Sequence, residues 1–373
     1  MFNIHLVIDE KFINASVEIF DKFYPGKNLF VVDAKEGDRK YVNCKNNILF
    51  LPFSKSDWLK IVGKYIPKKS CRVNVIVHYL TKHSAYQALN LKENGLVHNL
   101  YWIFYGADLY TYLEIKGKYH LYDYNVKGRD KVVRNWVNLL LGRYNYVDAF
   151  CSKLDYFCFW NYYDYEILRR NVRTNAKFKL FYYVTMSNNI DKGLLVDENN
   201  SNNILVNNSA SFTGNHLTVL NRLNELGLEK FKIFLPLSYG PSSHIALIEE
   251  ETKKMFLKEN YVFIKEYLPI NAYYDIINTC PYAVMGHRRQ EAGGNISYLL
   301  RNGSKVFLRE DNSLLQYYKD LGCFIYSFEK NLISSDAFCP LTPEQKKVNR
   351  EIMQRSISSE RIEAMMLNLL KDS

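Results

Sequence analysis

One feature narrows the choice of fold more than any other: a strand–helix rhythm that runs twice along the chain. Phe2–Ile8 alternates in β fashion, and Ala15–Phe23 carries Val17, Phe20 and Phe23 on one helical face. Asn28–Val32 is a second short apolar run, and Val73–His78 reads as a strand buried on both faces. Ser84–Glu93 then reads as a helix and Asn99–Tyr105 as a further strand. Parallel strands need a crossover between them, usually a helix. This order therefore predicts a doubly wound parallel sheet with helices on both faces.

Polar residues thicken over 187–192 and 197–203, which marks a linker. The rhythm then restarts. Strands are predicted at 204–207, 232–236, 261–265, 282–285 and 305–308. Helices are predicted at 215–225, 245–259, 272–279 and 295–301, with a helical stretch over 342–371. The expected architecture is α/β: two doubly wound Rossmann-like domains facing a cleft. Their expected limits are 1–186 and 187–345, followed by a C-terminal helical tail over 346–373.

Composition adds exclusions. At 47% hydrophobic and 24% charged residues, the 373-residue chain is an ordinary globular protein. Lys+Arg exceed Asp+Glu by 49 to 39, a net charge of +10, and 15% of residues are aromatic. Basic charge among Tyr and Phe suits single-stranded nucleic acid, but no RNP, KH or helix-turn-helix signature accompanies it. A non-catalytic nucleic-acid-binding protein is therefore a remote alternative, and no nucleic acid partner is expected. Lys, Asn, Ile, Tyr and Phe have A/T-rich codons, so genome composition explains the bias equally well. No basic segment precedes a long apolar run near Met1, and no apolar run approaches the ~18 residues of a membrane span. A cytoplasmic protein able to sit on a membrane surface is expected. Seven scattered cysteines (44, 71, 151, 158, 280, 323, 339), with no CxxC and no paired histidine spacing, read as reduced thiols. With no Asp-x-Asp motif either, neither metal nor cofactor is expected.

The most informative segment is 286–303. It follows a strand and opens a helix. Gly293 and Gly294 let backbone N–H groups approach a ligand, and a helix N-terminus adds partial positive charge. Arg288 and Arg289 supply cations beside them. Two readings stand: an anion site, most naturally for a diphosphate, or a glycine turn with two solvated arginines. The position at the carboxyl end of a strand favours the first, because open α/β sheets bind ligands there.

The spacing of Glu291, Gly294, Gly303 and the strand 305–308 resembles the nucleotide-sugar signature of GT-B glycosyltransferases. The segments 102–110 (with Gly106-Ala-Asp108), 204–209 with Asn215 and His216, 235–240, and 289–294 narrow the match. Together they resemble the TDP-N-acetylfucosamine:lipid II N-acetylfucosaminyltransferases (4-acetamido-4,6-dideoxygalactose transferases), over roughly residues 2–325. Three positions depart from that pattern: Tyr79 and Ala292 stand where the family has Gly, and Glu291 where it tends to have Gln.

The resemblance implies a glycosyltransferase. It would move a 4-acetamido-4,6-dideoxyhexose from a TDP-sugar to a polyprenyl-diphosphate-linked glycan in bacterial surface polysaccharide synthesis, without a metal. The alternative is a GT-B transferase using another nucleotide sugar. The C-terminal half would bind the donor through Asn208, Ser209, Tyr239, Tyr267, Leu268, Arg288, Arg289, Glu291, Gly293, Gly294 and Asn295. Each has a plainer reading as a turn residue, a packed tyrosine or a helix-start carboxylate. On the acceptor side Asp108 reads as a catalytic group that accepts or orients the acceptor hydroxyl, or as a helix N-cap. His78 reads as a base or as a core histidine, and His83 is an alternative to it. The basic, aromatic stretch 116–183, with its amphipathic segment 127–142, suits the anionic inner face of a cell membrane. It reads equally well as a helix packed on its own sheet.

Overall fold

The structure is a computed structural model that describes residues 1–67, 72–124, 129–142, 144–182, 201–356 and 359–371. The linker expected over 187–203 lies outside these residues up to 200. The chain forms two compact units. The first comprises Met1–Lys118, Arg129–Asn188 and Ser359–Ser373; the second comprises Tyr119–Gly128 and Asn189–Ser358.

Seven parallel strands build the sheet of the first unit: β1 (Phe2–Val7), β2 (Asn28–Val32), β3 (Ile48–Phe50), β4 (Val73–His78), β5 (Val97–Ile103), β6 (Tyr156–Phe159) and β7 (Lys177–Leu180). Their order is β3-β2-β1-β4-β5-β6-β7, so the winding reverses direction between β1 and β4. β2 and β4 are buried along their whole length, as expected of strands covered on both faces. An asparagine ladder fixes their register: Asn3 pairs with Asn28 and with Asn74. Asn3 Nδ2 donates to Asn28 Oδ1 at 2.9 Å, and Asn74 Nδ2 donates to Asn3 Oδ1 at 3.2 Å. A one-residue slip would break these bonds and turn every apolar side chain to the wrong face.

Six parallel strands build the second sheet: β8 (Asn203–Val206), β9 (Lys232–Pro236), β10 (Tyr261–Ile264), β11 (Tyr282–Met285), β12 (Lys305–Leu308) and β13 (Tyr326–Ser327). The order β10-β9-β8-β11-β12-β13 is the dinucleotide-fold winding, with its reversal between β8 and β11.

The unit limits differ from the sequence reading in two places. Residues 119–128 belong to the second unit although the chain on both sides of them belongs to the first. The expected tail is two helices in different units: Pro343–Ser356 belongs to the second, and Ser359–Leu369 returns to the first. Met365, Met366, Leu369 and Leu370 are buried in the core of the first unit with Val17 and Phe20. That apolar face is what draws the last helix there. The described cysteines are free thiols.

Candidate functional site

The winding reversal of the second unit is built from two loops, 207–216 after β8 and 286–292 after β11. Asn207 holds them together. Its Nδ2 donates to the Gly214 carbonyl at 2.9 Å, and its Oδ1 accepts from the Gly286 amide at 2.8 Å. Asn207 has φ +59°, which asparagine tolerates better than most residues. The two backbones approach so closely that a Cβ on Gly286 would lie 2.2 Å from the Gly214 oxygen. Asn215 adds a second clamp: its Nδ2 donates to the carbonyls of Gly286 (3.0 Å) and Leu121 (3.1 Å).

Glu291 sits on this platform. It accepts from Thr213 Oγ1 at 2.6 Å and Ser211 Oγ at 3.1 Å, and it pairs with Arg289 at 2.9 Å. Burial pushes its carboxyl up, but Arg289 and the two hydroxyls outweigh that and hold it below the ordinary glutamate range. Glu291 is therefore a carboxylate at neutral pH. His287 is fully buried 3.8 Å from it, and neither ring nitrogen has a hydrogen-bond partner. Burial keeps that imidazole neutral by lowering its pKa.

The helix Gly293–Asn302 starts beside Glu291, with Ala292 as its N-cap at φ +58° and no side-chain cap. Nothing lies within 4 Å of where a Gly294 Cβ would be. The helix start is open beside Gly294 and has no side-chain cap, an arrangement suited to an anion. Asn208 and Ser209 lie in the loop after β8 rather than at the strand's end; Asn208 has a buried Oδ1 without a partner, and Ser209 is buried. Asn295 Nδ2 stands 3.5 Å from the Tyr273 hydroxyl.

The two arginines are not solvated cations. Arg289 is held by Glu291 and by the Gln290 carbonyl at 2.8 Å. Arg288 Nε donates to Asp123 at 2.6 Å, and its guanidinium pairs with Asp311 at 3.1 Å. Asp123 also receives Arg309 at 2.6 Å and Thr218 Oγ1 at 2.5 Å. Asp123, Asp311 and Arg309 were not legible as site residues, because no local motif surrounds them.

The remaining donor-side candidates are spread out. Tyr239 is 76% exposed after β9, and its carbonyl accepts from the Ala210 amide at 2.7 Å. Tyr267, 90% exposed, and part-buried Leu268 follow β10, two strands from β8.

The acceptor-side candidates of the first unit turn inward. Asp108 is only 6% exposed and lies in the first turn of the helix Ala107–Ile115. Its carboxylate accepts from Trp102 Nε1 at 2.9 Å, the Leu80 amide at 3.0 Å and the Tyr105 amide at 3.3 Å. Burial raises its pKa against the pull of these bonds. His78 is 0% exposed, with Nε2 3.0 Å from His5 Nδ1, and burial pushes it down to about 3. Asp108 thus ties the loop after β4 to the end of β5, and His78 bridges the neighbouring strands β1 and β4. His83, by contrast, is exposed on the helix Lys82–Glu93.

Two of the departures from the resemblance now have a backbone meaning. Tyr79 (φ +63°) and Ala292 (φ +58°) both occupy the left-handed region that favours glycine. The glycine pattern is one of conformation, and this chain keeps the conformation without the glycine.

A family model described as 4-alpha-L-fucosyltransferase, glycosyl transferase group 56, matches residues 66–338. Among solved structures, the chain is similar to sucrose-phosphate synthase from Thermosynechococcus elongatus, with TM-score 0.64, 11% identity and coverage of 99% of this chain and 98% of that one. It is similar to the Anabaena protein HepE in complex with UDP and glucose (TM-score 0.60, 10% identity, 99% of each chain). It is also similar to a UDP-forming alpha,alpha-trehalose-phosphate synthase from Burkholderia vietnamiensis (TM-score 0.60, 9% identity, 98% and 99% of the two chains). The shared fold is GT-B.

Proposed function

The chain belongs to the 4-alpha-L-fucosyltransferase family, glycosyl transferase group 56, and on that premise we propose that it moves a 4-acetamido-4,6-dideoxyhexose from a TDP-linked donor to a polyprenyl-diphosphate-linked glycan. The observation that carries this reading is the uncapped helix Gly293–Asn302 beside ionised Glu291 at the winding reversal of the second unit. Transfer builds negative charge on the departing diphosphate. Fixed amide donors at a helix N-terminus stabilise that charge without reorganising. Glu291 and the Asn208 side chain would hold donor hydroxyls, and Arg289 would orient Glu291 through their ion pair.

On the acceptor side, the geometry favours a positioning role for Asp108, whose carboxylate organises the Leu80 and Tyr105 backbone. Of the candidate bases, His83 is the one open to solvent, and it would accept the proton of the attacking hydroxyl. The products are then the extended glycan and TDP.

A site on the inner face of the membrane is part of this proposal. Among the described residues no helix is long and apolar enough to cross a membrane. On the helix Arg129–Leu140, however, Val133 and Leu140 are exposed, as is Leu141 just beyond it, at 58%, 67% and 61%. An outward apolar stripe supports surface insertion over packing on the chain's own sheet. Lys127 and Arg143 of the expected basic stretch lie outside the described residues.

Incubating the protein with TDP-, UDP- and GDP-linked sugars and polyprenyl-diphosphate-linked glycans tests the reading. Transfer from the TDP-linked 4-acetamido-4,6-dideoxyhexose is expected. Transfer only from a UDP- or GDP-sugar would replace the donor assignment.

A further inference from the structure

The loops that build the donor platform are fastened by a segment from outside the strand–helix repeat of the second unit. Residues 119–124 belong to that unit, although the chain before Tyr119 and after Gly128 belongs to the first. The Tyr119 hydroxyl lies 2.6 Å from the Arg288 carbonyl and 2.8 Å from the Asp311 carbonyl, within donating reach of the loops after β11 and β12. The Asp123 amide donates to Asn215 Oδ1 at 2.9 Å, and the Leu121 carbonyl accepts from Asn215 Nδ2. Asn215 is the residue that also clamps Gly286.

Asp123 carries the charge of this segment. Burial pushes its carboxyl up, but Arg309, Thr218 and Arg288 outweigh that and hold it below the ordinary aspartate range. Its two cations differ. Arg309 is buried and spends its Nε on Glu329 at 2.5 Å, so it is enclosed by carboxylates. Arg288 is 27% exposed in its side chain. Asp123 takes its Nε and Asp311 its Nη1, but among the described residues its Nη2 has no partner. A guanidinium is a rigid planar fork, so fixing two nitrogens sets the direction of the third. Arg288 stands on the loop that leads into the helix Gly293–Asn302.

We infer that Asp123 is a positioning residue of the donor site: it holds Arg288 by Nε so that the free Nη2 edge meets the diphosphate of the nucleotide sugar. The inference rests on the reading that the start of the helix Gly293–Asn302 takes that diphosphate. Asp123 touches no ligand and acts through Arg288. Arg309 shares the Asp123 carboxylate, so that charge is divided between two cations rather than spent on Arg288 alone. A donor already aimed needs no reorganisation as charge builds on the leaving group.

The test compares TDP with thymidine, which keeps the base and sugar but has no phosphate. Both are titrated into the full chain, TDP by calorimetry and thymidine by ligand-observed NMR, and the ligand-free melting temperature of each variant is recorded. Asp123→Asn should weaken TDP about tenfold, the order expected for one charged hydrogen bond, and leave thymidine unchanged. Asp123→Glu restores the carboxylate and should recover part of the loss. R288Q should weaken TDP at least as much as D123N, and D123N/R288Q should bind it no worse than R288Q alone. Should D123N fail to fold, Tyr119→Phe removes only a hydroxyl from the same segment. It should weaken TDP about threefold with thymidine again unchanged. Unchanged or tighter TDP binding in folded D123N or in Tyr119→Phe would overturn the inference. So would equal losses of TDP and thymidine, or a double variant weaker than R288Q. Any of these with wild-type TDP binding intact refutes the role of Asp123 alone. No TDP response in the wild type refutes the donor reading and this inference with it.

Discussion

Gly286→Ala separates a glycine pressed against its neighbours from one in open space only eight residues away. The new Cβ would lie 2.2 Å from the Gly214 oxygen and 2.9 Å from Val219 Cγ2. Neither neighbour can yield cheaply: the first is backbone, held by Asn207 at 2.9 Å, and the second is a core side chain. Overpacking of this kind costs about 1–3 kcal/mol. Separating the loops also breaks the bond from the Gly286 amide to Asn207, or that from Asn215 to the Gly286 carbonyl. Each buried group left unpaired adds about 1–3 kcal/mol. The sum is about 2–6 kcal/mol, or a fall of about 4–24 °C in the melting of the second unit at ~2–4 °C per kcal/mol. Scanning calorimetry and urea titration read this directly. Gly294→Ala is the control, because nothing lies within 4 Å of its Cβ and its stability should hold within about 0.5 kcal/mol. A loss below about 1 kcal/mol in Gly286→Ala, or equal losses in both variants, would refute the packing argument.

Ala292→Gly should raise the melting temperature, since relief of a left-handed alanine at φ +58° is worth about 1 kcal/mol, less the added freedom of the unfolded glycine. A melting temperature lowered by the change would show that Ala292 is not strained. Acidification should destabilise both units. Burial holds His78 and His216 down to about 3 and lowers His5 and His287 as well. Below about pH 6.5 the unfolded chain binds protons that the folded chain refuses, so stability is full above that pH and declines below it by about 1 kcal/mol per unit for each histidine. Urea midpoints from pH 7.5 to 5.5 measure the slope, and a flat profile would contradict it. Leu140→Asp with Leu141→Asp should abolish co-sedimentation with anionic vesicles at low salt; unchanged binding would remove the membrane face.

How much of this was legible in the sequence depended on range. β2, β4, β9, β11 and β12 were read at their observed limits, because each holds a short β-rich apolar core (Leu29–Val32, Val75–Val77, Ile233–Leu235, Tyr282–Met285 and Val306–Leu308). β3, β6, β7 and β13 escaped: Lys177–Leu180 and Tyr326–Ser327 have no such core, whereas Ile48–Phe50 and Tyr156–Phe159 are apolar runs without a strand–helix spacing that marks them. At the site, the glycine-rich helix start was visible because it is local. The partners of its arginines were not. Asp123 is 165 residues from Arg288 and 186 from Arg309, and nothing in the spacing marks it. Asp108 stood out in the sequence, but its inward hydrogen bonds depend on Trp102 and Leu80, which only folding brings to it.

The central claim is that the second unit binds a thymidine-linked sugar diphosphate at the start of the helix Gly293–Asn302. Ligand-induced stabilisation measured with TDP, UDP and GDP on wild type and Gly294→Ala tests it most directly. At a hundredfold excess over Kd, binding to the folded state alone adds about 2.7 kcal/mol. TDP should give the largest shift in the wild type, and Gly294→Ala should reduce it while leaving the ligand-free melting temperature in place. A larger response to UDP or GDP would contradict the thymidine assignment. A TDP response untouched by Gly294→Ala would place the diphosphate elsewhere.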